Sequence, residues 1–123
     1  MALSTGALPG QISTSRAEET DGTSTVNTIG AGTLYLDQVR IDNSSNANDI
    51  VYLKLYDTGS TATVGTTVPD FIFPCPASEV IQFSFEPGGK FTNGIKAAVV
   101  LEAGTGGTTS PTNDVPCILV YHA

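Results

Sequence analysis

From Thr23 to the C-terminus, apolar and polar side chains alternate in short runs, and Gly, Pro, Asn and Ser separate one run from the next. A period of two places successive side chains on opposite faces, so each run reads as a half-buried strand. The clearest is IVYLKLYD, where Val51, Leu53 and Leu55 alternate with Tyr52, Lys54 and Tyr56 and one face is expected in the core. SEVIQFSFE repeats the pattern with Ile81, Phe83 and Phe85 inward, and PGGK at 87–90 supplies the turn chemistry expected to end it. VPCILVYH puts Val115, Cys117, Leu119 and Tyr121 on one face. In GTLYLDQVRID, Leu34 and Leu36 share one parity while Val39 and Ile41 share the other. That switch over Asp37 and Gln38 predicts a bulge or a bend, as where a strand passes from one sheet to another.

Three weaker signals complete the series. STVNTI is a short first strand, DFIFPCP offers Phe71, Phe73 and Cys75 on one side before prolines that mark a sheet edge, and TATVGTTVP is a weak or irregular strand. KAAVVLEAG is a continuous apolar run flanked by glycines, and Val99 and Val100 favour a central buried strand over a helical turn. GTGGTTSPTND reads as a long exposed loop. Seven or eight such strands predict an all-β fold, an antiparallel β-sandwich of the jelly-roll kind. An immunoglobulin-like sandwich is the alternative, disfavoured because the chain has no Trp for its core. Residues 1–22 show neither period and are expected as an extended N-terminal arm, leaving 23–123 as the sandwich domain.

Composition narrows the function classes. The 123 residues suit one domain, and 40% apolar with 14% charged residues is too greasy for a disordered chain. The net charge of −7, with Arg16, Arg40, Lys54, Lys90 and Lys96 scattered singly, provides no stripe to neutralise phosphates, so neither nucleic acid nor anionic membrane is an expected partner. MALSTGALPGQISTS lacks a basic segment followed by an apolar stretch, and no export signal is expected from it. Cys75 and Cys117 have neither the pairing of a zinc site nor the number of a disulfide framework. Each is read as a small buried hydrophobe, with a bridge between them left open.

The stretch DNSSNAND at 42–49 has the composition of a calcium loop, but counting from Asp42, the sixth and twelfth positions hold Ala47 and Leu53 where Gly and Glu are needed. A looser site from Asp42, Asn46 and Asp49 is the chemical alternative to a corner whose side chains bond their own backbone. His122 is the sole base for a nucleophile and lies one residue from the end. Tyr35, Tyr52, Tyr56 and Tyr121, with loops around Asn43, Thr105 and Asn113, offer a glycan-binding alternative. The glycines of GTGGTT and PGG open no helix and so lack phosphate-cradling geometry. No residue is assigned a catalytic, cofactor-binding or metal-binding role, no cofactor is expected, and the chain is read as non-enzymatic.

The segments VRIDNSSNANDIVYLKLYD, VGTTVPDFIFPCPAS, EPGGKFTNGIKAAVV and TTSPTNDVPCILVYH, in this order, resemble small virion structural proteins of tailed bacteriophages, especially those of cyanobacterial and other aquatic hosts. The resemblance covers roughly residues 25 to 122. It implies a sandwich displayed on the virion after assembly in the host cytoplasm: a head decoration or cement protein, or a tail or baseplate component. It further implies a homo-oligomer, a trimer in particular, clasping the major capsid protein or other virion proteins through an extended terminus.

Overall fold

The structure is a computed structural model that describes residues 3–7 and 14–123. Nine strands make it up: β1 (Leu3–Ala7), β2 (Thr14–Gly22), β3 (Asn27–Ala31), β4 (Leu34–Asp42), β5 (Val51–Asp57), β6 (Phe71–Cys75), β7 (Val80–Phe91), β8 (Gly94–Val100) and β9 (Val115–His122). They form one sheet in the order β1-β2-β9-β4-β7 and a second in the order β3-β8-β5-β6, every pairing antiparallel. Pairs nest about the middle of the chain: β5 with β6, β4 with β7, β3 with β8, β2 with β9. Successive rungs of that nest fall in alternate sheets, which is the wrap of a jelly roll.

Two of the crossings between sheets are very short, at residues 32–33 between β3 and β4 and at 92–93 between β7 and β8. The second needs Gly94, whose φ of +131° suits no side chain and whose absent Cβ would lie 2.8 Å from the Gly30 carbonyl oxygen. The Asp57 carboxylate holds this corner by accepting from the Thr92 amide at 3.0 Å and the Asn93 amide at 2.7 Å.

The alternating residues meet between the sheets. Val39, Ile41, Val51, Leu55, Phe91, Ile95, Val115 and Leu119 are fully buried there, and β9 alternates buried and half-buried along its whole length. The aromatic group Phe73, Phe83 and Phe85 fills the side bounded by β6 and β7, with ring centroids 5.1 and 5.7 Å apart. β6 is an edge strand, in line with its prolines, and β8 is central, in line with its unbroken apolar run.

Several local expectations change. β7 does not stop at PGGK but runs on to Phe91: between the pairs Leu36↔Gly89 and Gln38↔Ser84, residues 85–88 stand opposite Asp37 alone. The turn residues therefore make a wide bulge inside one strand. The parity switch in β4 is a bulge at Asp37, which is also extra with respect to β9, yet β4 stays in one sheet throughout. TATVGTTVP forms no strand; it closes on itself through the Thr66 and Thr67 amides, which both donate to the Thr63 carbonyl. Within residues 1–22, expected as an arm, β2 pairs with β9 and buries Ala17, while β1 adds a further strand beside β2.

β5 is buried on both faces. Tyr56 packs with Ala62 and Ala98 against Val26 and Val64, making a second small apolar cluster outside the four-stranded sheet. Between Tyr52 and Tyr56, Lys54 is wholly buried and its Nζ donates to the Gly104 carbonyl at 2.6 Å. The 101–114 loop thus lies over the sheet and is pinned by the strand beneath it.

Candidate functional site

The asparagine-rich corner is held by a network of side-chain amide bonds. Asn43, fully buried, donates from Nδ2 to the carbonyls of Asp49, Cys75 and Pro76. Its Oδ1 accepts from Asn46 Nδ2 at 3.0 Å, and Asn46 also donates to the Asn113 carbonyl while its own Oδ1 accepts from the Asn113 amide. Asn113 Nδ2 donates to the Ser45 carbonyl. Three connections, β4–β5, β6–β7 and β8–β9, are tied together by these amides. Such groups are costly to bury unless paired, and here they are paired with each other.

Geometry at this corner speaks to the calcium alternative. Asp42 is turned to its own backbone, accepting from the Ser44 hydroxyl and amide, and those bonds hold its carboxyl below the usual carboxylate range. The Asn46 oxygen is committed to Asn113. Asp49 enters the corner through its backbone carbonyl, which accepts from Asn43, and no group of three or more potential metal ligands from His, Cys, Asp and Glu occurs among the described residues.

His122 and Asp37 come together, which sequence spacing of 85 residues did not reveal. The bulge turns Asp37 toward β9, its Oδ2 lies 2.7 Å from His122 Nδ1, and the imidazole stacks on Tyr35 at 5.1 Å between centroids. Gly88 of the β7 bulge, at φ +119°, closes over the pair, its Cβ position lying 3.2 Å from Tyr35 Cβ and 3.3 Å from Asp37 Oδ1. The parity switch at Asp37 was the signal for this cluster, since a bulge re-aims a side chain.

The tyrosines are dispersed. Tyr121 points between the sheets and donates to the Ile29 carbonyl at 3.1 Å, Tyr56 is buried under the 58–70 loop, and Tyr35 lies on the outer face of the five-stranded sheet. Burial raises the phenols of Tyr56 and Tyr121 above their ordinary range. Cys75 and Cys117 are free thiols, both buried and both pushed up by burial, Cys117 far up. Loss of hydration pulls the Lys54 ammonium down, partly offset by the charge of Glu102. Glu102 is itself held low by the Thr109 hydroxyl.

A cleft between the sheets at the β2 and β3 edge is lined by Glu19, Thr25, Asn27, Val99 and Cys117. Its free volume is about 10 Å³, the space of roughly one water. Glu19, inward-facing and buried, accepts there from Asn27 Nδ2.

One surface feature is left. The exposed large hydrophobic residues among those described are Ile50 just before β5, Val68 before β6, Phe71 and Ile72 on β6, and Val80 at the start of β7. Alternation puts Phe71 on the core-facing parity, Ile72 on the outer face of the four-stranded sheet and Val80 on the outer face of the five-stranded sheet. β6 and β7 are the last strands of their sheets and face each other on one side of the sandwich. On that side Ile81, Phe83 and Phe85 reach only half burial although they point inward. The prolines of β6 announce the edge, but alternation alone does not show which apolar side chains there stay exposed.

No protein-family model matches the chain, and no curated protein sequence matches it.

Proposed function

We propose that the chain is a non-enzymatic structural protein of a bacteriophage virion, a capsid decoration or cement protein that stabilises the head by protein–protein contacts. The observation that carries this reading is that the exposed large hydrophobic residues among those described gather near the β6 edge of a jelly roll whose two ends are closed by its own polar side chains. A closed scaffold with apolar side chains left exposed near one edge has the parts for attachment, and the resemblance of its strand and turn segments to phage virion proteins supplies the setting. Repetition on a symmetric shell multiplies modest contacts into lasting ones. In this reading the partners are other copies of the chain and the major capsid protein, and the place of residence is the virion.

Co-sedimentation with assembled phage heads tests it. Purified protein should pellet with heads, saturate at a fixed ratio and raise the temperature at which the heads release DNA. Failure to bind heads overturns the decoration role, and binding to tails alone moves the protein to the tail or baseplate. Removing residues 1–7, which deletes β1 and leaves β2 in place, should weaken attachment if the terminus clasps a neighbour.

A further inference from the structure

We infer that the outer face of the five-stranded sheet is a docking face, and that its occupant is a protein surface bearing carboxylates around an apolar centre. The inference rests on the attachment reading above and gives it a face and a partner chemistry.

The register of the sheet lays the outward side chains in rungs. Glu18, Ile118, Arg40 and Gln82 stand side by side across β2, β9, β4 and β7. Arg16, Val120 and Gln38 form the next rung, and His122, Tyr35 and Lys90 the one beyond it, where the imidazole stacks on the Tyr35 ring. Asp42 and Val80 end the series on the other side. At about 4.8 Å between strands and about 6.7 Å between rungs, the backbone under this face is roughly 14 Å wide and 20 Å long. Ile118 and Val120 at its centre are half-buried, and Val80 is 45% exposed. The four-stranded sheet is roofed instead. Lys54 and Tyr56, on the outer parity of β5, are buried under the 101–114 and 58–70 loops, which meet where Thr108 packs against Gly65.

Charge selects the partner. Three of the five cations, Arg16, Arg40 and Lys90, stand on this face with three carboxylates, Glu18, Asp37 and Asp42, so the face is formally neutral. The other nine of the twelve carboxylates have only Lys54 and Lys96 to set against them, so the whole net charge of −7 falls outside it. The three carboxylates are also engaged within the face: Glu18 by Arg16, Asp37 by His122, and Asp42 by the Ser44 hydroxyl and amide. Arg40 and Lys90 enter no ion pair or hydrogen bond among the described residues. What the face leaves unanswered is therefore positive charge, with a guanidinium directly beside Ile118. An arginine against an apolar centre suits a carboxylate on the partner. A basic partner would be drawn to the acidic remainder of the surface.

Co-sedimentation of the purified full chain with assembled phage heads, over a concentration series that yields a dissociation constant, tests this with three variants. Arg40→Glu reverses the unengaged cation. Ile118→Thr/Val120→Thr removes the apolar centre while keeping β-branched side chains in β9. Lys96→Glu makes the same change of charge on the other sheet. The first two should bind about tenfold or more weakly, and Lys96→Glu should bind like the wild type. Sodium chloride should weaken wild-type binding, because screening removes an attraction. Circular dichroism should show all three variants folded, since the replaced side chains lie outside the core. Arg40→Gln, which puts no new acid beside Asp42, takes the place of Arg40→Glu if the latter unfolds. Either face variant binding like the wild type, Lys96→Glu weakened as much as Arg40→Glu, or binding that rises with salt overturns the inference and leaves the decoration reading standing. Heads that take up no wild type overturn both.

Discussion

At the scale of single residues, stability is concentrated where polar groups are buried together. The two amide hydrogens of Asn43 are shared among three carbonyls while its oxygen accepts from Asn46, a pairing of donor and acceptor that among side chains only a carboxamide offers, and at this reach the short one. Asn43→Ala leaves those carbonyls unmet, at a cost of about 3 kcal/mol, seen as a lower urea midpoint at unchanged slope. Asn43→Asp should fare no better, because it turns an acceptor toward three acceptors. The buried thiol of Cys117 predicts a pH effect of known sign. Its folded value lies above the ordinary 9.0. Its contribution is therefore fully present below pH 9 and is lost above it, as the unfolded chain releases the proton first, with a limiting slope of about 1.4 kcal/mol per pH unit. Cys117→Ala should flatten the alkaline fall in unfolding free energy relative to wild type. Tyr56, Tyr121 and Lys54 are common to both proteins, so the difference isolates the thiol.

At the scale of elements, the bulges decide what the strands carry. The β4 bulge delivers Asp37 to His122, and the β7 bulge places Gly88 over both. Gly88→Ala forces a side chain into φ +119° and against Tyr35 and Asp37. We expect a loss of about 2 kcal/mol and a melting temperature roughly 8 °C lower by calorimetry, with exposure of the Tyr35 ring visible in its fluorescence. Alternation made β5, β7, β8 and β9 legible in the sequence, and the parity switch announced the bulge in β4. What stayed hidden has physical causes. PGGK carries the residues of a turn, and whether such residues close a hairpin or bulge from a strand is set by the neighbour they pair with, here β4. Lys54 sits on the polar parity of β5, and only the 101–114 loop folding back over the sheet buries it. In β2 the inward positions include Ala17 and Glu19, too little apolar character to raise a strand signal. The corner at 42–49 was legible as a corner, but its partner Asn113 was not, because that contact spans 67 residues.

At the scale of the whole molecule, the nested wrap makes the first and last strands of the roll depend on each other. β9 is paired on one side by β4 and on the other by β2, so the C-terminal strand is central only while β2 is present. Removing residues 1–22 strips the ladder from Arg16↔Val120 to Glu19↔Cys117, uncovers Ala17's contacts in the core and leaves β9 as a free edge. With roughly 1 kcal/mol for each backbone bond lost and a similar amount for the buried methyl, the cost is on the order of 5 kcal/mol. That matches the entire stability of many domains of this size. The 23–123 fragment should therefore lack a cooperative melting transition by circular dichroism, whereas a chain lacking only residues 1–7 should retain one, since β1 contacts β2 alone among its neighbours in the sheet. A cooperative transition in the 23–123 fragment at the wild-type temperature would make β2 an accessory strand and return the stretch to the role of an arm.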